Sequence, residues 1–136
     1  MKMIAGIPYI KCKVVVGEKE SEGWFDLDTG SDGTLSISQK FATENQLNGV
    51  MAKLGTSTSK GSAGVPFTMQ KVLLPKLKIG NYELYQVPMH INDMDPKGME
   101  HQENIGNKLL KRFNSVIDFK NHSIYLKPNR LIYSHM

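Results

Sequence analysis

The sequence has little cysteine and no long apolar run. Its single cysteine, Cys12, excludes a disulfide within the chain and is weakly typical of a reducing compartment. No apolar run approaches the length of a membrane span, so we expect no membrane partner. The first eight residues lack the apolar core of a signal peptide. We therefore expect a cytoplasmic protein or a domain cut from a longer chain. The sequence does not decide between these two alternatives for the cellular location.

Positive charge is too sparse to indicate a nucleic-acid partner. The chain has 17 lysines and arginines against 13 acidic residues, with a net charge of +4. These cations are scattered and are not interleaved with aromatic residues, as they would be in a nucleic-acid-binding surface. The one group, Lys108, Lys111 and Arg112, is predicted to lie on a helix, and the simpler interpretation is a solvated helix face.

Length and patterning predict one small β domain. A chain of 136 residues with 40% hydrophobic and 22% charged residues is typical of a single soluble domain, here spanning residues 1–136 with a core of about 8–128. Short alternating segments are predicted to be strands, with a helix from Ser38, its N-cap, to Gln46 and another over residues 107–113. The predicted strands cover residues 7–16, 23–27, 34–37, 72–74, 77–79, 84–91, 116–118 and 123–126. This pattern predicts an all-β fold, a small closed barrel with one or two short helices.

The most informative feature is Asp28, which follows the apolar run of Trp24, Phe25 and Leu27 and precedes Thr29-Gly30-Ser31. A carboxylate at the end of a buried strand is costly unless it is hydrogen-bonded, shares a proton or does chemistry. Asp28 is therefore the first candidate for a catalytic residue.

The surrounding sequence carries a resemblance to a known family. Asp28-Thr29-Gly30-Ser31-Asp32-Gly33-Thr34-Leu35 resembles the catalytic loop of retroviral-type (retropepsin-like) aspartic proteases. A later segment, Ile105-Gly106-Asn107-Lys108-Leu109-Leu110, resembles the second marker of that family, which opens its C-terminal helix. Two motifs in the right order are far more specific than one. The resemblance spans residues 8–128 and implies that the two segments meet in space.

The resemblance implies an aspartic endopeptidase acting on peptides or proteins without a cofactor. It assigns catalysis to Asp28, with Thr29 locking two loops together and Gly30 allowing close approach of a substrate backbone. Ser31 is expected to donate a hydrogen bond to the outer oxygen of Asp28, and Asp32 to contact substrate backbone. For Thr29 and Ser31, plain turn chemistry is the alternative.

The stretch from Gly55 to Gly64 is small and polar throughout. Its composition alone predicts a flexible loop. The resemblance instead implies a flap, which is a hairpin that closes over bound peptide. The expected substrate contacts at its tip are Gly61, Ser62, Ala63 and Gly64.

An enzyme of this class needs two carboxylates that share a proton, because like charges at close range do not both ionise cheaply. The chain contains one Asp-Thr-Gly and is too short for a second lobe. Counting carboxylates therefore predicts a symmetric homodimer with one Asp28 from each protomer. The termini, including Leu131-Ile132-Tyr133, are expected either to build an intermolecular sheet, as in relatives, or to fray.

Three positions depart from the family pattern. Asp26 and Asn104 stand where relatives have apolar residues that wall the pocket beside the scissile bond. We hypothesise a substrate-binding pocket that prefers polar or basic side chains; alternatively, the two residues only hydrogen-bond each other. The charge of Asp26 also favours an acidic to mildly acidic optimum. Asn107 replaces a frequent arginine, which puts dimer strength in doubt.

Two other functions stay open on sequence alone. One is a non-catalytic peptide-binding or dimerisation domain of the same fold, and the other an unrelated β domain in which Asp28 caps a turn. A metal site is conceivable in the polar loop after Asn92, but its ligand types follow no recognised spacing, and a solvated loop is the better interpretation. The candidate ligands there are Asp93, Asp95, Glu100, His101 and Glu103.

Overall fold

The computed structural model describes residues 1–28, 30–60, 66–92 and 103–134. The strands are β1 (Lys2–Ile4), β2 (Ile7–Val16), β3 (Lys19–Asp28), β4 (Leu35–Ser38), β5 (Ala52–Lys60), β6 (Pro66–Ile79), β7 (Tyr82–Asn92), β8 (Asn104–Gly106), β9 (Phe113–Asp118) and β10 (Ser123–Pro128). The helices are α1 (Gln39–Glu44) and α2 (Asn107–Leu110).

Six strands close into a barrel. Their order is β2, β3, β8, β4, β7 and β6, and β6 pairs back with β2, with Val14 opposite Leu77. β1 and β5 add to this sheet, while β9 and β10 form a separate hairpin. The predicted all-β closed barrel with two short helices is confirmed.

The barrel is filled by the apolar residues that alternate along its strands. On β3, Phe25 is fully buried and Leu27 partly buried, while Asp26 and Asp28 alternate with them along the strand. Phe25 meets Phe41 of α1 edge-on, with 6.3 Å between ring centroids. A Cβ at Gly23 would lie 2.7 Å from a ring carbon of Phe41, so any larger residue here would have to displace that ring. The expected N-cap of α1 is present, because Ser38 Oγ accepts a hydrogen bond from Phe41 N at 3.0 Å.

β6 is a long strand that changes partners part-way. Its first half pairs with β5 as far as Leu73, and from Lys76 it pairs with β2. Pro75 stands at the change, where its missing N–H costs no ladder hydrogen bond. The two segments predicted as separate strands, 72–74 and 77–79, are thus one strand that joins the hairpin to the barrel.

The β5–β6 hairpin is the element that the family resemblance implies as a flap. Its paired backbone runs from Ala52 opposite Leu73 to Lys60 opposite Pro66. The predicted contact residues Gly61, Ser62, Ala63 and Gly64 lie outside the described residues.

The C-terminal region corrects one prediction and shows the conformation of the tail within one chain. α2 ends at Leu110 rather than at residue 113, because Phe113 already begins β9. The apolar tail from Leu131 to Tyr133 is not a strand: Asn129 O and Leu131 O accept hydrogen bonds from Ile132 N and Ser134 N, which form successive turns. The predicted β9–β10 hairpin is confirmed, with Asp118 accepting the turn amides of Lys120 and Asn121.

Arg112 contradicts the prediction of a solvated helix face. Lys108 and Lys111 are exposed, whereas the Arg112 side chain is completely buried. Its guanidinium donates hydrogen bonds to Lys108 O and to Ser134 O, the latter at 2.7 Å. Burial lowers the pKa of Arg112. This residue fastens the C-terminal turns to the end of α2, a structural role that a charge count along the sequence does not show.

In the described part of the chain, no helix is both long enough and apolar enough to cross a bilayer.

Candidate active site

Asp28 is the last residue of β3 and its side chain is exposed. Its Oδ1 accepts a hydrogen bond from Gly30 N at 3.1 Å, and its carbonyl accepts one from Ser31 N at 3.2 Å. These bonds form a tight turn that holds the carboxylate at the strand end. Thr29, the remaining predicted catalytic residue, lies outside the described residues.

The second motif lies directly against this turn. β8 is inserted between β3 and β4, parallel to the first and antiparallel to the second. In this register Asn104 stands opposite Asp26, and Gly106 stands opposite Asp28. The two segments that carry the family resemblance therefore meet, although 76 residues separate Asp28 from Asn104 in the chain.

Gly106 makes the close approach possible. A Cβ at position 106 would overlap the backbone carbonyl of Gly33, so no other residue fits without moving the loop. Three consecutive amides from the second motif bind carbonyls of the catalytic loop: Gly106 N to Thr34 O at 3.0 Å, Asn107 N to Ser31 O at 2.9 Å and Lys108 N to Gly33 O at 3.1 Å. The loop is thus fixed by backbone contacts within its own chain.

Asn104 lies between the two aspartates of β3. Its Nδ2 donates a hydrogen bond to Asp28 Oδ2 at 3.3 Å, and the contact of its side chain with Asp26 lowers the pKa of that carboxyl. The second contact is the one that the sequence suggested as an alternative to a specificity pocket. The bond from Asn104 to Asp28 was not predicted. The alternation of side chains along the strand placed Asp26 on the same side as Asp28, but it did not show which carboxylate oxygen the Asn104 amide would reach.

Asp26 is half-buried and electrostatically unfavourable when ionised. Burial, and then the charges of Asp28 and Glu103, raise its pKa to about 6, while the hydrogen bond from Asn104 opposes the rise. Its Oδ1 is buried and has no hydrogen-bond partner among the described residues. The neutral form of Asp26 is therefore favoured at mildly acidic pH.

Ser31 and Asp32 complete the described loop. Ser31 Oγ accepts a hydrogen bond from Gly33 N at 3.1 Å, which is the turn chemistry noted above as its alternative role. Asp32 is exposed beside it. Among the described residues, the side-chain donor on Asp28 is Asn104 rather than Ser31.

The described residues contain no group of three or more potential metal ligands. Four of the five candidates named above, all except Glu103, lie outside the described ranges. Glu103 instead accepts a hydrogen bond from Ser38 Oγ at 2.8 Å, and its carbonyl accepts Asp26 N at 2.9 Å. It connects β3 to the start of α1.

An apolar cavity of about 440 Å³ lies next to Leu27, the residue before Asp28. It opens between the N-terminal strand region, α2 and the β9–β10 hairpin. Its apolar lining comprises Pro8, Leu27, Leu110, Phe113, Ile117 and Ile124. The hairpin and the tail also expose Val116, Phe119, Tyr125 and Tyr133.

Comparison with known proteins agrees with this geometry. Residues 12–108 match the model of a family described as aspartyl protease. Among solved structures, the chain is similar to a retropepsin-like aspartic protease from Rickettsia conorii, with a TM-score of 0.54 and 19% identity over 83% of this chain and 77% of that one. A search of curated proteins found no match. Since the family match covers most of the chain, with all of the first motif and the first four residues of the second, this protein belongs to the aspartyl protease family and has the retropepsin-like fold.

Proposed function

We propose that this protein is an aspartic endopeptidase that acts as a symmetric homodimer. The observation that carries the proposal is the exposed Asp28 carboxylate at the end of β3, held by Gly30 N and by Asn104 Nδ2. Each chain supplies one such carboxylate, so two copies are needed for a pair that shares a proton. The substrate is a peptide or protein, and the chemistry requires no cofactor.

In the proposed reaction, the ionised Asp28 of one protomer takes a proton from a water molecule as its oxygen attacks the scissile carbonyl carbon. The protonated Asp28 of the other protomer gives its proton to the carbonyl oxygen. The resulting gem-diol then collapses: one of its hydroxyl groups gives its proton to the second Asp28, the C–N bond breaks, and the amide nitrogen leaves with the proton that the first Asp28 took from water. Both carboxylates thereby regain their starting protonation states and are ready for the next substrate.

The other predicted residues have positioning roles in this proposal. Thr29 joins the two loops across the axis, and Gly30 admits the substrate backbone close to Asp28. Ser31 and Asp32 line the groove. Residues 61–64, which follow β5 in the sequence, close over the bound peptide.

The distribution of apolar surface supports a second copy as the partner. The cavity beside Leu27 adjoins the catalytic strand, and the β9–β10 hairpin, which lines part of it, also exposes Val116, Phe119 and Tyr125. Apolar surface of this kind on a small protein is typical of an interaction site.

A non-catalytic peptide-binding or dimerisation domain is the second candidate. The specific observation in its favour is the amide of Asn104, which already occupies Asp28 Oδ2. A carboxylate engaged in this way is less available to share a proton with a partner. Asn107, in place of a frequent arginine, points in the same direction because it removes a charged contact to the loop.

Cleavage of a mixed peptide library, read by mass spectrometry, separates the two candidates. Wild type, Asp28→Asn and the control Glu18→Gln, an exposed carboxylate in the β2–β3 turn, are compared over a range of protein concentrations. We expect wild type and Glu18→Gln to cleave with a rate that rises more steeply than linearly at low concentration, and Asp28→Asn to be folded and inactive. Absence of cleavage by wild type at every concentration, with peptide binding retained, would favour the second candidate.

A further inference from the structure

We propose that Asp26 and Asn104 form a subsite for a cationic side chain, so that the enzyme prefers lysine or arginine next to the scissile bond. This inference rests on the proposed endopeptidase function, whose substrate class it narrows. It concerns a position at which this chain departs from its relatives, and the described contacts, rather than the resemblance, carry it.

The subsite adjoins the reacting carboxylate. Asp26 and Asp28 project from the same side of β3, about 7 Å apart along the strand. Asn104, opposite Asp26 on β8, touches Asp28 at 3.3 Å. A peptide whose scissile bond lies over Asp28 therefore places a neighbouring side chain against Asn104 and Asp26. In a dimer the same holds on each side of the bond.

The charges around Asp26 are all negative at close range. Asp28 on its own strand and Glu103 before β8 both act on it. The register neighbours on the adjoining strands are Tyr9 on β2, Asn104 on β8 and, beyond it, Ser36 on β4. The nearest basic residue on this row of the sheet is Lys2 on β1, opposite Tyr9, and His90 and Lys71 lie farther away on β7 and β6.

A cation fits these surroundings better than a neutral side chain. Asp26 contributes a half-buried carboxylate, of which Oδ1 has no hydrogen-bond partner among the described residues. An ammonium or guanidinium group brings several donors and also relieves the repulsion among the three carboxylates. A neutral amide side chain supplies donors without relieving that repulsion.

The preference should depend on pH in a defined direction. Burial and the charge of Asp28 raise the pKa of Asp26 to about 6, so the carboxylate is mostly neutral at pH 5 and mostly ionised at pH 7. Selection for a cation should therefore strengthen as pH rises through 6. A bound cation stabilises the ionised form and moves this midpoint downward.

The test uses two peptides that differ only in lysine or norleucine at the residue before the scissile bond. Each is made in a cleavable form and with a reduced, non-cleavable bond. For wild type we expect the lysine-to-norleucine ratio of kcat/KM to rise about tenfold from pH 5 to 7. The ratio of affinities for the two reduced peptides, measured by calorimetry, should rise by the same factor. Asp26→Asn should give a flat ratio. Glu103→Gln removes a nearby charge but leaves Asp26 and Asn104 in place. In this variant the lysine-to-norleucine ratio should still rise with pH, with its midpoint at a lower pH than in wild type.

The outcomes separate this inference from the function on which it rests. Binding of the reduced lysine peptide with the expected pH dependence, but no cleavage of any peptide, would uphold the subsite and refute the endopeptidase. Cleavage with a lysine-to-norleucine ratio that does not change with pH would refute the subsite alone. So would a ratio that still rises with pH in Asp26→Asn. Failure to bind either reduced peptide would refute both.

Discussion

Replacing Gly106 with alanine should disturb the catalytic loop more than any other single-methyl change in the site. The added Cβ overlaps the carbonyl of Gly33, and a backbone atom cannot swing aside as the end of a side chain can. The backbone conformation at Gly106 is an ordinary extended one, with φ −92° and ψ 175°. The effect of the substitution is therefore one of contact and not of conformational strain.

The magnitude follows from the contacts that must give way. Forcing a methyl group into a closely packed site costs about 1–3 kcal/mol. Separation of the loop from α2 also weakens the hydrogen bonds of the Gly106, Asn107 and Lys108 amides, each contributing about 1 kcal/mol. We expect Gly106→Ala to lower the free energy of unfolding by about 3–5 kcal/mol, a large share of the roughly 5–15 kcal/mol of a typical domain.

Urea denaturation at one fixed protein concentration measures this change, since association would otherwise contribute to the apparent stability. Gly33→Ala is the matched control, because its Cβ meets only the Ser31 hydroxyl, at 3.3 Å. It should change the free energy of unfolding by less than about 1 kcal/mol. A Gly106→Ala protein within about 1 kcal/mol of wild type would refute the conclusion that this contact fixes the loop.

Three further predictions concern other buried groups. Asp26→Asn should raise the free energy of unfolding at pH 7 by about 1–2 kcal/mol, and this gain should vanish below pH 4. The reason is that the pKa of Asp26 is raised in the folded protein, so ionisation of Asp26 between about pH 4 and 6 destabilises the fold. Equal gains at both pH values in urea titrations would contradict this. Burial raises the pKa of Cys12 to about 12, so a thiol reagent at pH 8 should label it only on unfolding; rapid labelling of folded protein would count against its burial. Arg112→Leu should cost about 2–4 kcal/mol, because Lys108 O and Ser134 O lose their donors, and unchanged urea stability would show that these bonds are dispensable.

Local signals predicted much of the fold. The alternation of apolar and polar residues predicted the observed bounds of β2, Ile7 and Val16. Ser38 was correctly expected to cap α1. Both features depend on residues close together in the chain. The start of α2 at Asn107 was foreseen for the same reason, whereas its end was not, since the pairing of Phe113 with Pro128 in β9–β10 draws that residue into a strand.

The site depended more on distant contacts. The motifs indicated that the two segments meet, but β8 itself, three residues inserted between β3 and β4, has no local strand signal. The bond from Asn104 to Asp28 and the burial of Arg112 likewise arise from pairing and packing over long separations. A polar residue on a short segment gives no sign in sequence of which carboxylate it will reach.

The described contacts of the Asp28 loop lie within its own chain. Gly30 N, Asn104 Nδ2 and the amides of the second motif fix the turn without a second copy. In the proposed dimer, association therefore supplies the second carboxylate and does not have to fold the loop. The ordering of this turn is already included in the stability of each protomer, so a modest interface suffices to complete the site. For the same reason, loss of the dimer should remove the chemistry while leaving the loop in place.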